Sequence, residues 1–276
     1  MSGVILSAWV GDGVPDTVRR VVSNHELFAK RHGYSHRFVI DQTGERLGHH
    51  GVSPEWIKVP AITEALEEGF SWVFWIDADS VFSDMDTSLG DIVSTKKSVV
   101  FTGDSADICN TGHLFVRNTH ESRALMDAWW AMRLLTFPPV HSTHVDDQGW
   151  SNDQPALNYL LVGGEPNQRS LTKTGQRLFN TFNGFPDNPN RRYKFFNFTH
   201  APTRWWRVPM TTSLLSPEMR KIVAIVPQGR LNGYPRRLPG TPRSIKKAPI
   251  MHYPGRMRKY LKAELDRLEA LLSDGS

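Results

Sequence analysis

The 276 residues predict an α/β fold with a mixed, mainly parallel sheet flanked by helices. Two observations carry the prediction. Apolar runs of strand length alternate with helically spaced apolar stripes over the first 80 residues, in the order β-α-β-α-β. The third of these strands, Phe70 to Ile76, is almost wholly large and apolar, as a strand buried on both faces should be, and it breaks abruptly at Asp77-Ala78-Asp79. Composition is in keeping: 39% hydrophobic and 22% charged residues are ordinary for a globular chain, and the length allows a large core.

Val4 to Val10 reads as the first strand, turning at Gly11-Asp12-Gly13. Pro15 suits the first turn of a helix whose stripe is Val18, Val21, Val22, Leu27 and Phe28, and Gly33 is its expected C′ residue. Arg37 to Ile40 is a second strand and 41–51 a polar loop. Ser53 as N-cap and Pro54 at N1 open a second helix with Ile57, Ala61, Ala65 and Leu66 inward, stopped by Gly69. After the aspartates come a short helix or loop over Leu89–Val93 and strands over Ser98–Thr102 and His113–Val116. A helix from Glu121 to Leu135 and another over Ala156–Leu161, capped by Asn152 or Asp153, follow. Strand character returns at Leu171–Gly184 and Tyr193–Phe198. From Thr203 the chain becomes basic and loop-prone, most of all over Arg230–Lys247, where arginines and lysines sit among prolines and glycines. Order resumes at Pro249, and an amphipathic helix over Arg256–Leu272 closes the chain.

The single cysteine, Cys109, excludes an intramolecular disulfide and fits a reducing compartment. No apolar stretch approaches the roughly 20 residues of a membrane span, and the first residues lack the marks of a signal peptide. A net charge of +5 and a pI near 9.4 favour an anionic partner such as a nucleotide diphosphate, a nucleic acid or an acidic membrane, although such a charge also serves ordinary solubility. Neither GxGxxG nor GxxxxGK[ST] is present, which removes the dinucleotide fingerprint and the P-loop.

Asp77 and Asp79 lie where open α/β sheets place ligands, and strand alternation predicts that both face one point. Two acids so placed call for a cation or a shared proton. The pattern Asp77-Ala78-Asp79-Ser80-Val81 also fits the opening of haloacid dehalogenase-type phosphatases, with Asp77 as nucleophile. Against that, about seventy residues of β-α-β-α precede it, and the acidic pair Asp146-Asp147 follows no strand.

WIDADSVFSD resembles the DxD signature of GT-A glycosyltransferases, above all the retaining galactosyl/xylosyltransferase-like and glycogenin-like families. The order of elements matches: His32-Gly33-Tyr34, Trp56-Ile57-Lys58, Asp77-Ala78-Asp79, Cys109-Asn110-Thr111-Gly112, and Asn152-Asp153-Gln154. A less secure match is His252-Tyr253-Pro254-Gly255, where Arg258 takes the place expected for a lysine and the lysine itself, Lys259, comes one position later. The resemblance implies one catalytic domain over 1–276, with a nucleotide-binding half at 1–105, a donor-sugar and acceptor half at 106–202 and a basic segment with closing helix at 203–276. It implies a nucleotide-diphospho-sugar donor, UDP-linked by expectation, and Mn2+ or Mg2+ held by Asp77, Asp79 and a distant histidine. His252 is favoured there and His200 is the rival. Ser7, Ala8 and Asp12 would line the base and ribose pocket. Lys58, Asn110, Gly112, Gly255 and Lys259 would bind the donor, with Asp104 or Asp107 near the sugar. Asp77 would reach the ribose, or the metal through water. Gln154 and Asp153 would face the reacting carbon. With retention, Gln154 is a weak nucleophile, and front-face departure and attack is the better fit.

Each motif has a plainer reading. The aspartates could only cap a strand, Asn110 could serve a turn, and Asp153 could be only a helix cap. Trp129, Trp130, Trp205 and Trp206 could be core or groove packing, and the basic run a solvated face. The acceptor is expected to be a glycan or, given the charge, a hydroxymethylated base in viral DNA. Relatives often carry an N-terminal membrane anchor. Finding none here leads to the expectation of a cytoplasmic enzyme, in a bacterium or an infected host cell.

Overall fold

The computed structural model describes residues 2–47, 52–103, 109–134, 153–161, 215–235 and 248–274. The strand predictions at 171–184 and 193–198, the loop at 137–149, His200, Asp104, Asp107 and most of the basic run lie outside these residues. Among the described residues no helix is long and apolar enough to cross a membrane.

Strand β1 (Gly3–Val10), helix α1 (Asp16–His32), strand β2 (Ser35–Asp41), helix α2 (Lys58–Glu67) and strand β3 (Trp72–Ile76) form the expected first half. α1 ends at Gly33, whose left-handed φ of 69° lets its N–H reach back to the last turn. α2 differs from expectation at its start. Pro54–Ile57 is a 3-10 turn, and the Ser53 side chain makes no cap hydrogen bond.

β4 (Ser80–Phe82), α3 (Leu89–Val93), β5 (Val99–Thr102), β6 (Asn110–Arg117), α4 (His120–Ala131) and α5 (Asp153–Leu161) follow. The last part holds α6 (Pro217–Ile222), β7 (Val223–Val226), α7 (Gln228–Leu231), β8 (Ile250–His252), a 3-10 turn over Gly255–Tyr260, and α8 (Leu261–Asp274).

The main sheet runs β2-β1-β3-β6-β5-β7. β2, β1 and β3 are parallel, β6 is antiparallel to both its neighbours, and β7 lies parallel to β5. Alternation along buried strands divides the core. Val73 and Trp75 of β3 face α2, α4 and α5, with Trp56 and Trp129. Phe74 and Ile76 face the other side, with Phe28 of α1 stacked on Phe82 at 3.7 Å between ring centroids. β4 and β8 form a separate two-stranded ladder beyond the end of β3. Behind that ladder α8 closes over Val81, Met251 and Tyr253. Arg20 of α1 ties α8 down through Asp266 (2.6 Å) and Glu269 (2.8 Å).

Candidate metal and donor site

The site lies where β3 ends. β3 stops at Ile76, and Asp77 to Ser80 form a turn closed by Ser80 N–H on Asp77 O at 3.0 Å. The two aspartates therefore converge because the chain turns, not because a strand alternates. The turn throws Asp79 toward β8 while Asp77, in step with Trp75, stays toward α2.

Ligand atoms of Asp77, Asp79 and His252 lie within 4.8 Å of one another. Asp79 Oδ1 is 3.2 Å from His252 Nε2, yet no donor lines up on that buried oxygen. A carboxylate oxygen and an imidazole nitrogen so placed fit a divalent cation. Gly112 of β6 makes the room. A Cβ there would meet His252 Cε1 at 2.8 Å, Asn110 Oδ1 at 2.9 Å and Asp77 Oδ2 at 3.1 Å.

The two carboxyls are held differently. Asp77 Oδ1 accepts the Trp75 indole N–H at 2.7 Å, with Lys58 Nζ at 3.6 Å. Burial drives the Asp77 carboxyl above its ordinary range, and Lys58 offsets only part of that. Burial also opposes ionisation of Asp79, but His252 and then Arg258, whose Nε donates to Oδ2 at 3.0 Å, hold it below the ordinary range.

Lys58 is a buried cation at the edge of the site. Its Nζ lies 2.7 Å from Asp153 Oδ2 and donates to the Thr111 carbonyl (3.2 Å) and hydroxyl (3.3 Å). Burial works against the ammonium, but Asp153 and Asp77 more than compensate, and its pKa is raised. α5 is docked on β6 by side chains one turn apart. Gln154 Oε1 accepts from Thr111 N–H at 3.2 Å, and Asn158 Oδ1 from Cys109 N–H at 3.1 Å. Trp129 of α4 donates to the Asp153 carbonyl at 2.9 Å.

The structure thus brings Asp77, Asp79, His252, Lys58, Asn110, Gly112, Asp153 and Gln154 together. Asn110 is a strand residue and accepts from Gly112 N–H at 2.9 Å. Ser7 is fully buried, its hydroxyl 3.4 Å from His25 Nδ1, while Ala8 is buried beside it and Asp12 is exposed in the turn after β1. Gly255, at φ 54°, opens the 3-10 turn. From that turn Arg258 reaches Asp79, whereas Lys259 lies over the Tyr260 ring at 5.1 Å. Residues that pattern reading passes over are Trp75, His113, Asn232 and Tyr234. His113 is fully buried, edge-on to His252 at 5.1 Å, with neither ring nitrogen hydrogen-bonded.

A family model for the galactosyl transferase GMA12/MNN10 family matches residues 7–98 and 91–196, more than half of the chain. The chain belongs to that family. The match begins at Ser7, inside β1, and takes in the aspartate pair, Lys58 and the Asp153 helix. An alpha-1,2-galactosyltransferase of Schizosaccharomyces pombe is 24% identical over 177 residues, covering 51% of this chain and 44% of the relative. A probable glycosyltransferase 6 of Oryza sativa subsp. japonica is 34% identical over 125 residues, covering 38% of this chain and 26% of the relative. The matched stretch is thus less than half the length of these relatives. Among solved structures, a glycosyltransferase involved in glycosylation of the major capsid of PBCV-1 superposes with a TM-score of 0.53 at 13% identity, over 97% of this chain and all of that one. The mixed six-stranded sheet is therefore of the GT-A type, as the DxD resemblance implies. Nothing in the family match supports the phosphatase alternative.

Proposed function

We propose that this GMA12/MNN10-family chain is a divalent-cation-dependent glycosyltransferase, moving a sugar from a nucleotide-diphospho-sugar to an acceptor hydroxyl. The observation that carries this reading is the meeting of Asp79 Oδ1 and His252 Nε2, 3.2 Å apart and without a hydrogen bond, beside Asp77. Asp77, Asp79 and His252 would hold the cation. Mixed carboxylate and imidazole ligands suit Mn2+, with Mg2+ second. When bound, the cation supplies charge neutralisation on the diphosphate.

The chain's own groups do the rest. Arg258, with an exposed side chain already turned to Asp79, is placed to take the diphosphate. Lys58 lies between Asp77 and Asp153 and holds both carboxylates in place. In the reaction the bond from the anomeric carbon to the diphosphate oxygen breaks, and its electron pair leaves with the diphosphate. The acceptor hydroxyl oxygen bonds to that carbon and its proton passes to the departing phosphate oxygen. The Gln154 oxygen is engaged by Thr111 N–H, which supports front-face transfer with retention over attack by Gln154. The α-linkage in the name of the Schizosaccharomyces pombe relative fits retention from an α-linked donor such as a UDP-hexose.

A glycan acceptor is the better reading. A galactomannan galactosyltransferase of Cyamopsis tetragonoloba is 30% identical over 131 residues. The basic run that prompts the DNA acceptor lies largely outside the described residues. The test is a thermal-shift screen of nucleotide-sugars with and without Mn2+, repeated on Asp79→Ala. Stabilisation by a nucleotide-sugar that needs Mn2+ and is lost in the variant is expected. If no nucleotide-sugar stabilises the wild type, the reading fails.

A further inference from the structure

We propose that Asn232 is a positioning residue for the cation site: its side-chain oxygen fixes the His252 tautomer that leaves Nε2 unprotonated toward Asp77 and Asp79. This rests on reading those three residues as cation ligands.

Asn232 lies in Leu231-Asn232-Gly233-Tyr234, within the stretch that composition alone assigns to a loop. Leu231 and Asn232 are fully buried. Asn232 Oδ1 lies 2.9 Å from His252 Nδ1, and Asn232 Nδ2 donates to the Tyr234 hydroxyl at 3.1 Å. An amide oxygen facing Nδ1 requires the proton on Nδ1, which leaves a lone pair on Nε2. The flipped amide would put the proton on Nε2, but an N–H there does not line up on Asp79 Oδ1, 3.2 Å away, so that tautomer gains no hydrogen bond from the carboxylate. A histidine that binds a metal through one nitrogen needs the other anchored in this way.

The anchor is itself held. Gly233 N–H bonds to Ile250 O at 2.9 Å and His252 N–H to Gly233 O at 2.7 Å, so Asn232 cannot slide along β8. A Cβ on Gly233 would meet Ala248 Cβ at 2.4 Å, so only glycine permits this approach. The His252 ring lies between Tyr234, tilted at 5.9 Å, and the edge-on His113, which fixes its plane.

The test uses the full chain, metal-free and labelled with 15N-histidine, at about pH 8. Long-range 1H–15N correlation should show His252 protonated at Nδ1. Asn232→Leu should lose that preference and weaken Mn2+ binding by about 10- to 100-fold. Asn232→Asp, which keeps an acceptor, should retain the tautomer and bind Mn2+ within a few-fold of wild type. A merely structural asparagine would lower thermal stability in both variants and leave tautomer and Mn2+ affinity alone. Asn232→Leu with unchanged tautomer and affinity overturns the proposal. Should that variant not fold, Tyr234→Phe removes the hydroxyl that orients the amide. Mixed tautomers are then expected, and a wild-type spectrum overturns the proposal. A wild type that binds Mn2+ with Nδ1 unprotonated sinks the tautomer lock alone. A wild type that binds no Mn2+ sinks the cation reading beneath it.

Discussion

Ser80 and His252 stand opposite each other in the β4–β8 ladder, and that pairing sets how far apart Asp79 and His252 lie. The ladder continues through Tyr253 N–H on Asp79 O at 2.9 Å. A slip of one residue would send His252 to the other face. Among the described residues the outer edge of β4 has no strand beside it, and α1 serves instead. Asn24 donates to Phe82 O at 3.1 Å and accepts from Phe82 N–H at 2.8 Å, and His25 Nε2 bonds to Ser80 O at 2.8 Å.

Asn24→Ala should therefore leave both buried backbone groups of Phe82 unpaired. The expected cost is about 2–3 kcal/mol in urea unfolding. Cation affinity should fall with it, since β4 carries Asp79 at its head. Isothermal titration with Mn2+ checks the second part, and unchanged affinity would separate the ladder from the site.

Lys58→Met should cost about 3–5 kcal/mol, because it removes the cation set between two carboxylates, Asp153 and Asp77. Lys58→Met combined with Asp153→Asn should recover part of that loss. Chemical unfolding of the single and double variants measures both values, and additive losses would refute the pairing.

Gly112→Ala should weaken Mn2+ binding at least about ten-fold while costing only about 1–3 kcal/mol of stability. The new methyl meets Asp77 and His252, which must part to admit it. Titration with Mn2+ alongside a thermal melt distinguishes this from general unfolding. Affinity equal to wild type would count against the proposed site.

Burial lowers the pKa of His25 to about 3 from an unfolded value near 6.5. The folded chain then binds fewer protons than the unfolded chain between those values, so stability is complete above about 6.5 and is lost as pH falls toward 3. Each pH unit in that window costs up to about 1.4 kcal/mol from this group. His25→Gln should flatten the stability–pH curve by about 2 kcal/mol between pH 6.5 and about pH 5. Urea midpoints across the series test it, and an unaltered slope would remove His25 as a source of acid sensitivity.

Much of the first half is legible because its elements state themselves through length and spacing. Gly33 ends a helix, and Phe70–Ile76 is too short and too apolar for an exposed helix. Other features leave no such trace. Trp75 reads as core by its bulk, and nothing in a hydropathy pattern reveals that its N–H holds Asp77. Strand β7, at Val223–Val226, hides in a region whose composition is dominated by proline and basic residues, and only its pairing with β5 makes it a strand. Asn232 is invisible for the same reason, since its role depends on a histidine 20 positions later. The DxD pair is legible as chemistry, but its convergence comes from a turn that alternation does not describe.

The separation of the site's two ends along the chain has a consequence for synthesis. Arg258 follows Asp79 by 179 positions, and His252 arrives only shortly before it. At ribosomal rates of roughly 5–20 residues per second, Asp79 waits on the order of ten seconds or more for either partner. Throughout that interval the β1–β3 unit can already be folded around Lys58, which lies upstream of both aspartates and stands 3.6 Å from Asp77. The nascent domain thus carries its own counter-ion for one acid and leaves the other open. The β4–β8 ladder can form only once β8 has been made, and Asp79 and His252 meet only then.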